Sequence, residues 1–187
     1  MVVLGGMVVS SLFQALVSLV KYVADPDEDL PAITYWLMGS MSRATYQGLA
    51  VGIPLILLGV ALLFLLRWRL NILSLQEDET RALGIDVRKL RIMVMAASTL
   101  VTASCVSLCG QVGWVGLLIP HVARMLYGSD NRKIIPVSMG LGSAFMVVID
   151  TASRAATAAE IPVSILTAII GAPFFIILLR RTGGARL

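Results

Sequence analysis

The sequence is poor in most of what a soluble active site uses. Of 187 residues one is histidine, two are cysteine, and only 14% are charged. A soluble domain carries about 25% charged and roughly 45–50% apolar residues. Here 58% are hydrophobic and the mean hydropathy is +0.89. Too little charge remains to cover a water-facing surface, which excludes a soluble enzyme. No G-x-x-x-x-G-K-[ST] phosphate loop occurs, so work driven by ATP needs another chain to hydrolyse it. No Ser/His/Asp set can be assembled around the single histidine, so no catalytic residue is expected. Cys105 and Cys109 lie four apart in an apolar run and share a helix face. With no His or carboxylate at ligand spacing, they read as small buried hydrophobes in preference to a metal pair.

What is present is a series of charge-free runs. A helical span needs about 20 apolar residues, and in lipid such runs satisfy their backbone only as helices. The runs predict spans at about 2–20, 44–66, 92–109, 113–127, 134–149 and 161–179. The stretch from Ile92 to Ala123 is too long for one span. Gly110, Gly113 and Gly116 interrupt it, so it reads as a hairpin that turns after about Cys109. The opening MVVLGGMVV has no basic n-region or cleavage-like site, so its helix is expected to stay in the mature protein. The fold class is all-α: a polytopic membrane protein, residues 1–187 forming one domain of about six transmembrane helices.

The pI of about 9.4 does not point to nucleic acid, because the basic residues are sorted by side. Numbering loops alternately from the N-terminus, one side holds Arg67, Arg69, Arg81, Arg88, Lys89, Arg91, Arg124, Arg132, Lys133, Arg180, Arg181 and Arg186. The other holds Lys21, Arg43 and Arg154, with the acidic Asp25, Asp27, Glu28 and Asp29. The positive-inside rule places the first side, and both termini, in the cytoplasm.

Two connections carry pattern. The external one contains PAITYWLMGSMS, whose Tyr35 and Trp36 fit either an interfacial half-helix or a loop with an aromatic anchor. In the cytoplasmic segment 67–91, Ser74 and Glu77 form a capping box, so a short helix should start at Leu75. Glu77, Asp78 and Glu79 fill its first turn, Arg81, Ala82 and Leu83 its end, and Gly84 stops it. Asp86 can cap the helix that follows. Within the spans, Ser10, Ser11, Gln14 and Ser18 fall in a stripe about 100° wide, which suits a partner helix or a water-filled path. Gly48 with Gly52, and Ser138 with Gly142, read as close-packing faces. Asp150 and Glu160 lie near the outer ends of the last two spans and offer a cation or proton site as one alternative. Gly110 to Leu126, with Pro120 and His121, reads as an irregular, tightly packed hairpin with a satisfied buried histidine.

The string VGWVGLLIPHVAR closely resembles the signature of permease subunits of ABC importers for iron–siderophore complexes, haem and vitamin B12, the FecCD-type or BtuC-like family. YWLMGSMS, LNILSLQEDETRALGIDVRKLR, IDTASRAATAAEIPVSILTAIIGAPFFIILLRR and the opening helix also look like family segments, in family order. The resemblance implies a homodimer in the inner membrane of a prokaryote, two cytoplasmic ATPase subunits and an external substrate-binding protein. ATP and magnesium would sit on the ATPase, with no cofactor or metal on this chain. Ser74, Leu75, Glu77, Asp78, Glu79, Arg81, Ala82, Leu83 and Gly84 would then dock in the ATPase, and Arg154 would meet carboxylates of the binding protein. Ser10, Ser11, Gln14 and Ser18 would line the path. Gly113, Gly116, Pro120 and His121 match the signature as structural residues. Family members have about ten helices, and this chain begins where the fifth should, so it is expected to cover the C-terminal part of a permease. An ion-coupled carrier using Asp150 or Glu160, or a non-transporting scaffold, are the alternative readings.

Overall fold

The computed structural model describes residues 2–42, 44–71, 86–156 and 160–183. The expected docking helix, Ser74 to Gly84, lies outside the described residues. Among the described residues there are seven helices and no strand. The chain divides into two compact units, Met1–Leu37 and Met38–Leu187.

The first unit holds α1 (Val2–Val23) and α2 (Asp29–Leu37). The 22 residues of α1 give a rod about 33 Å long, enough for a hydrocarbon core of about 30 Å. Its stripe is partly satisfied from within: Ser11 Oγ donates to Met7 O and Ser18 Oγ to Gln14 O, both at 2.9 Å. The PAITYWL stretch is helical, as α2. Asp25 Oδ1 prepares the turn before α2 by accepting from Asp27 N (2.8 Å) and Glu28 N (3.2 Å).

The second unit holds α3 (Tyr46–Leu70), α4 (Val87–Cys109), α5 (Val115–Tyr127), α6 (Asn131–Ala156) and α7 (Val163–Gly183). Local chemistry sets their ends. Thr45 and Asp86 cap α3 and α4 by accepting from Gly48 N and Lys89 N, each at 3.1 Å. Gly110 (φ 72°) and Gly128 (φ 76°) close α4 and α5 in the left-handed region that glycine tolerates. Helix α6 runs past both ends of the charge-free run 134–149, taking in Arg132, Lys133, Asp150 and Arg154. Charge ends the stretch that lipid accepts, but it does not end a helix, so the helix continues into the interface.

Packing of α3 puts small residues inside and large ones outside. On α3 the buried residues are Gly52 and Gly59, whereas Val51, Leu57 and Leu65 are exposed. Lipid tails are as apolar as leucine, so helices gain by close approach more than by hiding apolar surface. Leu108 of α4 fills the space a Cβ would take at Gly48 and Gly52, and Val101 and Ala97 do the same at Gly59. On α6, a Cβ at Gly142 would be in ordinary contact with Ile119 of α5, 3.8 Å away.

Helix α5 is the exception in length. Its 13 residues measure about 20 Å, and residues 110–114 before it are not helical. Trp114 ends that stretch at φ 59° and lies against α7: a Cβ on Gly171 would be 2.7 Å from Trp114 Cβ. Gly171 is eight residues beyond the first residue of α7, or about 12 Å along its axis. The extended stretch thus enters the bundle before the helix begins. The Phe175 ring receives Trp114 and His121 edge-on, with centroids at 6.2 and 6.4 Å.

Candidate functional site

The polar chemistry of the second unit is gathered at the two ends of its bundle. At one end, α3 stops at Asn71 and α6 starts after Asp130. Asn71 Nδ2 donates to Asp130 Oδ1 (2.9 Å), and Asn71 Oδ1 accepts from Asn131 N (2.9 Å). Asp130 Oδ1 also accepts from Arg132 N at 3.0 Å. The Arg132 guanidinium lies over the Trp68 ring, 3.3 Å from its centroid, a cation–π contact. The Asn71 amide, and then the Arg132 backbone N–H, hold the Asp130 carboxyl below its ordinary value of 3.8. At the start of α4, the Lys89 backbone N–H lowers Asp86 in the same way.

At the other end, the backbone at Met38–Ser40 joins three segments. Ser40 N donates to Cys109 O (2.9 Å), Val163 N to Gly39 O (3.1 Å) and Ser164 N to Met38 O (3.3 Å). Gly39 is required there: its φ is +74°, and a Cβ would lie 2.5 Å from Gln111 O. Ser42 Oγ donates to Glu160 Oε2. Ser153 Oγ donates to Ile161 O, and Ile161 N donates back to Ser153 O. Arg154, in the last turn of α6, pairs with Asp150 one turn earlier, Nε to Oδ2 at 2.9 Å, and its side chain is 47% exposed.

The structure thus places Arg154 at the end opposite Asn71, paired and reachable. Of the two carboxylates, Asp150 pairs with Arg154 and Glu160 accepts from Ser42, and the Arg154 guanidinium lies within the field of both. Among the described residues no three of His, Cys, Asp and Glu gather as metal ligands. Cys105 is exposed and Cys109 half-buried, so neither is the buried hydrophobe expected. Pro120 sits inside α5 and leaves Gly116 O without its helical donor. Cβ atoms at Gly113 and Gly116 would meet nothing within 4 Å. Close approach is made instead at Gly171, against Trp114, and at Gly39, against Gln111 and Cys109. Ser10 and Gln14 have no side-chain hydrogen bond among the described residues. Sequence reasoning missed the Asn71–Asp130 pair, whose members are 59 residues apart; no local spacing signals it.

Long apolar helices packed through glycines, with the polar contacts between elements gathered at the ends, define a multi-pass membrane protein with the architecture of a helical permease. The chain belongs to the FecCD transport family, which it matches over residues 1–181. It is 45% identical over 181 residues to the molybdate import system permease protein MolB of Haemophilus influenzae, covering 97% of this chain and 54% of that one. It is 38% identical over 182 residues to a probable iron chelatin transport system permease protein of Helicobacter pylori, covering 97% and 56%. With the cobalamin import system permease protein BtuC of Halobacterium salinarum it shares 38% identity over 177 residues, covering 95% and 47%. A solved structure of an ABC transporter of metal-chelate type, in an inward-facing conformation, superposes with a TM-score of 0.90 at 44% identity, covering 94% of this chain and 57% of that one. The chain therefore spans about half the length of the curated relatives it matches. These relatives are permeases, transport components and not enzymes.

Proposed function

We propose that this chain forms the C-terminal part of the membrane-spanning permease of an ATP-binding-cassette importer in the inner membrane. The observation that carries the reading is the family match over residues 1–181 together with the superposition at a TM-score of 0.90. The cargo class is wider than an iron chelate, haem or corrinoid. A molybdate permease is 45% identical, so a metal oxyanion belongs in the set. Two ATPase subunits holding ATP and magnesium would dock on Leu75 to Gly84, and the permease would work as a homodimer. An external binding protein would meet the end that carries Arg154, and the stripe Ser10, Ser11, Gln14 and Ser18 would line the path. The positive-inside count supports a cytoplasmic position for the Asn71 end and for both termini. An ion-coupled carrier is less well supported: Arg154 already occupies the field of Asp150, and a cation there would have to compete with it.

Two experiments test this. Deletion of Leu75 to Leu83, or Gly84→Pro, is expected to abolish ATPase association while leaving membrane insertion intact; retained association and uptake would overturn the docking role. Uptake of labelled molybdate, ferric dicitrate, haemin and cobalamin into proteoliposomes, with and without the ATPase and ATP, identifies the cargo. Uptake driven by an ion gradient without ATPase would replace the importer reading with the carrier.

A further inference from the structure

Asn71 is the last described residue before 72–85, the stretch to which the proposed function assigns ATPase docking. Its side chain spends both of its polar atoms on the start of α6: the amide nitrogen on Asp130 Oδ1 and the amide oxygen on Asn131 N, each at 2.9 Å. Asp130 is held in place from its own side by Arg132 N at 3.0 Å. One turn back along α3, Trp68 lies under the Arg132 guanidinium. Three groups of residues 130–132, the Asp130 carboxylate, the Asn131 N–H and the Arg132 guanidinium, thus grip the end of a helix that is distant in sequence.

Helices in a bilayer have little hydrophobic reason to stay in register. The seam of Gly48, Gly52 and Gly59 fixes α3 against α4, but among the described residues no glycine makes such an approach between α3 and α6. Directional hydrogen bonds at the helix ends are what resist sliding there. We propose that Asn71 and Asp130 form a lock that makes the end of α3 and the start of α6 one body, so that displacement of segment 72–85 moves α6 together with α3. In this scheme Asn71 is a positioning residue, acting through Asp130 on α6. The inference rests on the importer reading for the source of the displacement, but the lock itself stands on the contacts alone.

The chemistry supplies its own rescue. In N71D a carboxylate faces Asp130 across a former hydrogen bond, and the two repel. In N71D/D130N the amide nitrogen now at 130 takes the place of Oδ1 and donates to the carboxylate at 71, which still accepts from Asn131 N, while Arg132 N loses its acceptor. Both bonds between residue 71 and the start of α6 return, and only the one within residues 130–132 is lost. The test uses spin labels at Leu65→Cys on α3 and Met139→Cys on α6, in a Cys105→Ser, Cys109→Ser background. The permease is purified with its ATPase subunits in lipid nanodiscs, and label distances are measured without nucleotide and after ATP–vanadate trapping.

With the native pair, a single narrow distance that does not change on trapping is expected. N71D should broaden it at least twofold or split it on trapping, and N71D/D130N should restore it. A distribution in N71D as narrow as the native one, or a double variant that stays broad, would overturn the lock. If the native permease fails to retain ATPase or to trap vanadate, the importer reading falls instead. The nucleotide-free width still decides the lock in that case.

Discussion

The glycine seam between α3 and α4 makes a prediction whose sign differs between two chemically identical substitutions. A Cβ at Gly59 would lie 2.5 Å from Val101 Cγ2 and 3.0 Å from Ala97 O. Carbon atoms prefer about 3.5–4.0 Å, so Gly59→Ala must push α4 back by about 1 Å or distort Val101. Overpacking of this kind costs about 1–3 kcal/mol. The better helix propensity of alanine offsets about 1 kcal/mol, leaving a net loss of about 0–2 kcal/mol. At Gly140 on α6 a Cβ would meet nothing within 4 Å, so Gly140→Ala keeps only the propensity gain of up to about 1 kcal/mol. The assay is reversible unfolding by SDS from mixed micelles, followed by circular dichroism. Val101→Ala in the Gly59→Ala background removes the clashing methyl and should recover about 1–2 kcal/mol as a coupling energy. Equal shifts for Gly59→Ala and Gly140→Ala, or no coupling to Val101, would refute the seam.

Three further outcomes follow from the same structure. Gly39→Ala places a side chain at φ +74° and against Gln111 O, and should cost at least the 1–2 kcal/mol of a left-handed residue, read in the same unfolding assay. Gly171→Val removes the seat of Trp114; in a Trp36→Phe, Trp68→Phe background the remaining tryptophan emission should shift and its quenching by brominated lipid should change, whereas an unchanged spectrum would deny the contact. Because hydrogen bonds lower the Asp130 carboxyl, its contribution to the lock is present above its unfolded value of 3.8 and is lost as pH falls through the lower folded value. Amide hydrogen exchange at Asn131 and Arg132 should therefore stay constant above about pH 5 and accelerate relative to intrinsic rates only below 3.8, and Asp130→Asn should abolish that dependence.

How far the sequence carries depends on whether a feature is local. Charge-free runs locate the helices because lipid excludes charge, and Asp86 is legible as a cap because its partner, Lys89 N, is three residues away. Gly48 and Gly52 are legible as a packing face by their spacing. Gly59 is not, since no small residue links it to Gly52, and only the geometry of α4 shows that it belongs to the same seam. The turn before α5 is legible in Gly110 and Gly113, and the expected start at 113 lies two residues ahead of Val115. Asn71 and Asp130 look like ordinary loop residues until two distant helix ends are brought together. The family resemblance rests on strings such as VGWVGLLIPHVAR, which identify relatives without saying why Trp114 needs Gly171.

The shortness of α5 bears on how the protein is made. A helix of 13 residues is too short to partition into a bilayer as a span of its own, and the extended residues before it carry backbone groups that lipid cannot satisfy. Its resting place is supplied by Gly171 and Phe175, which leave the ribosome about 60 residues after Trp114 does, by count along the chain. The hairpin of α4 and α5 is therefore expected to reach its final depth only after α7 has been synthesised. On this reasoning insertion of this segment is a late folding event that draws on the contacts with Gly171 and Phe175 as well as on hydropathy.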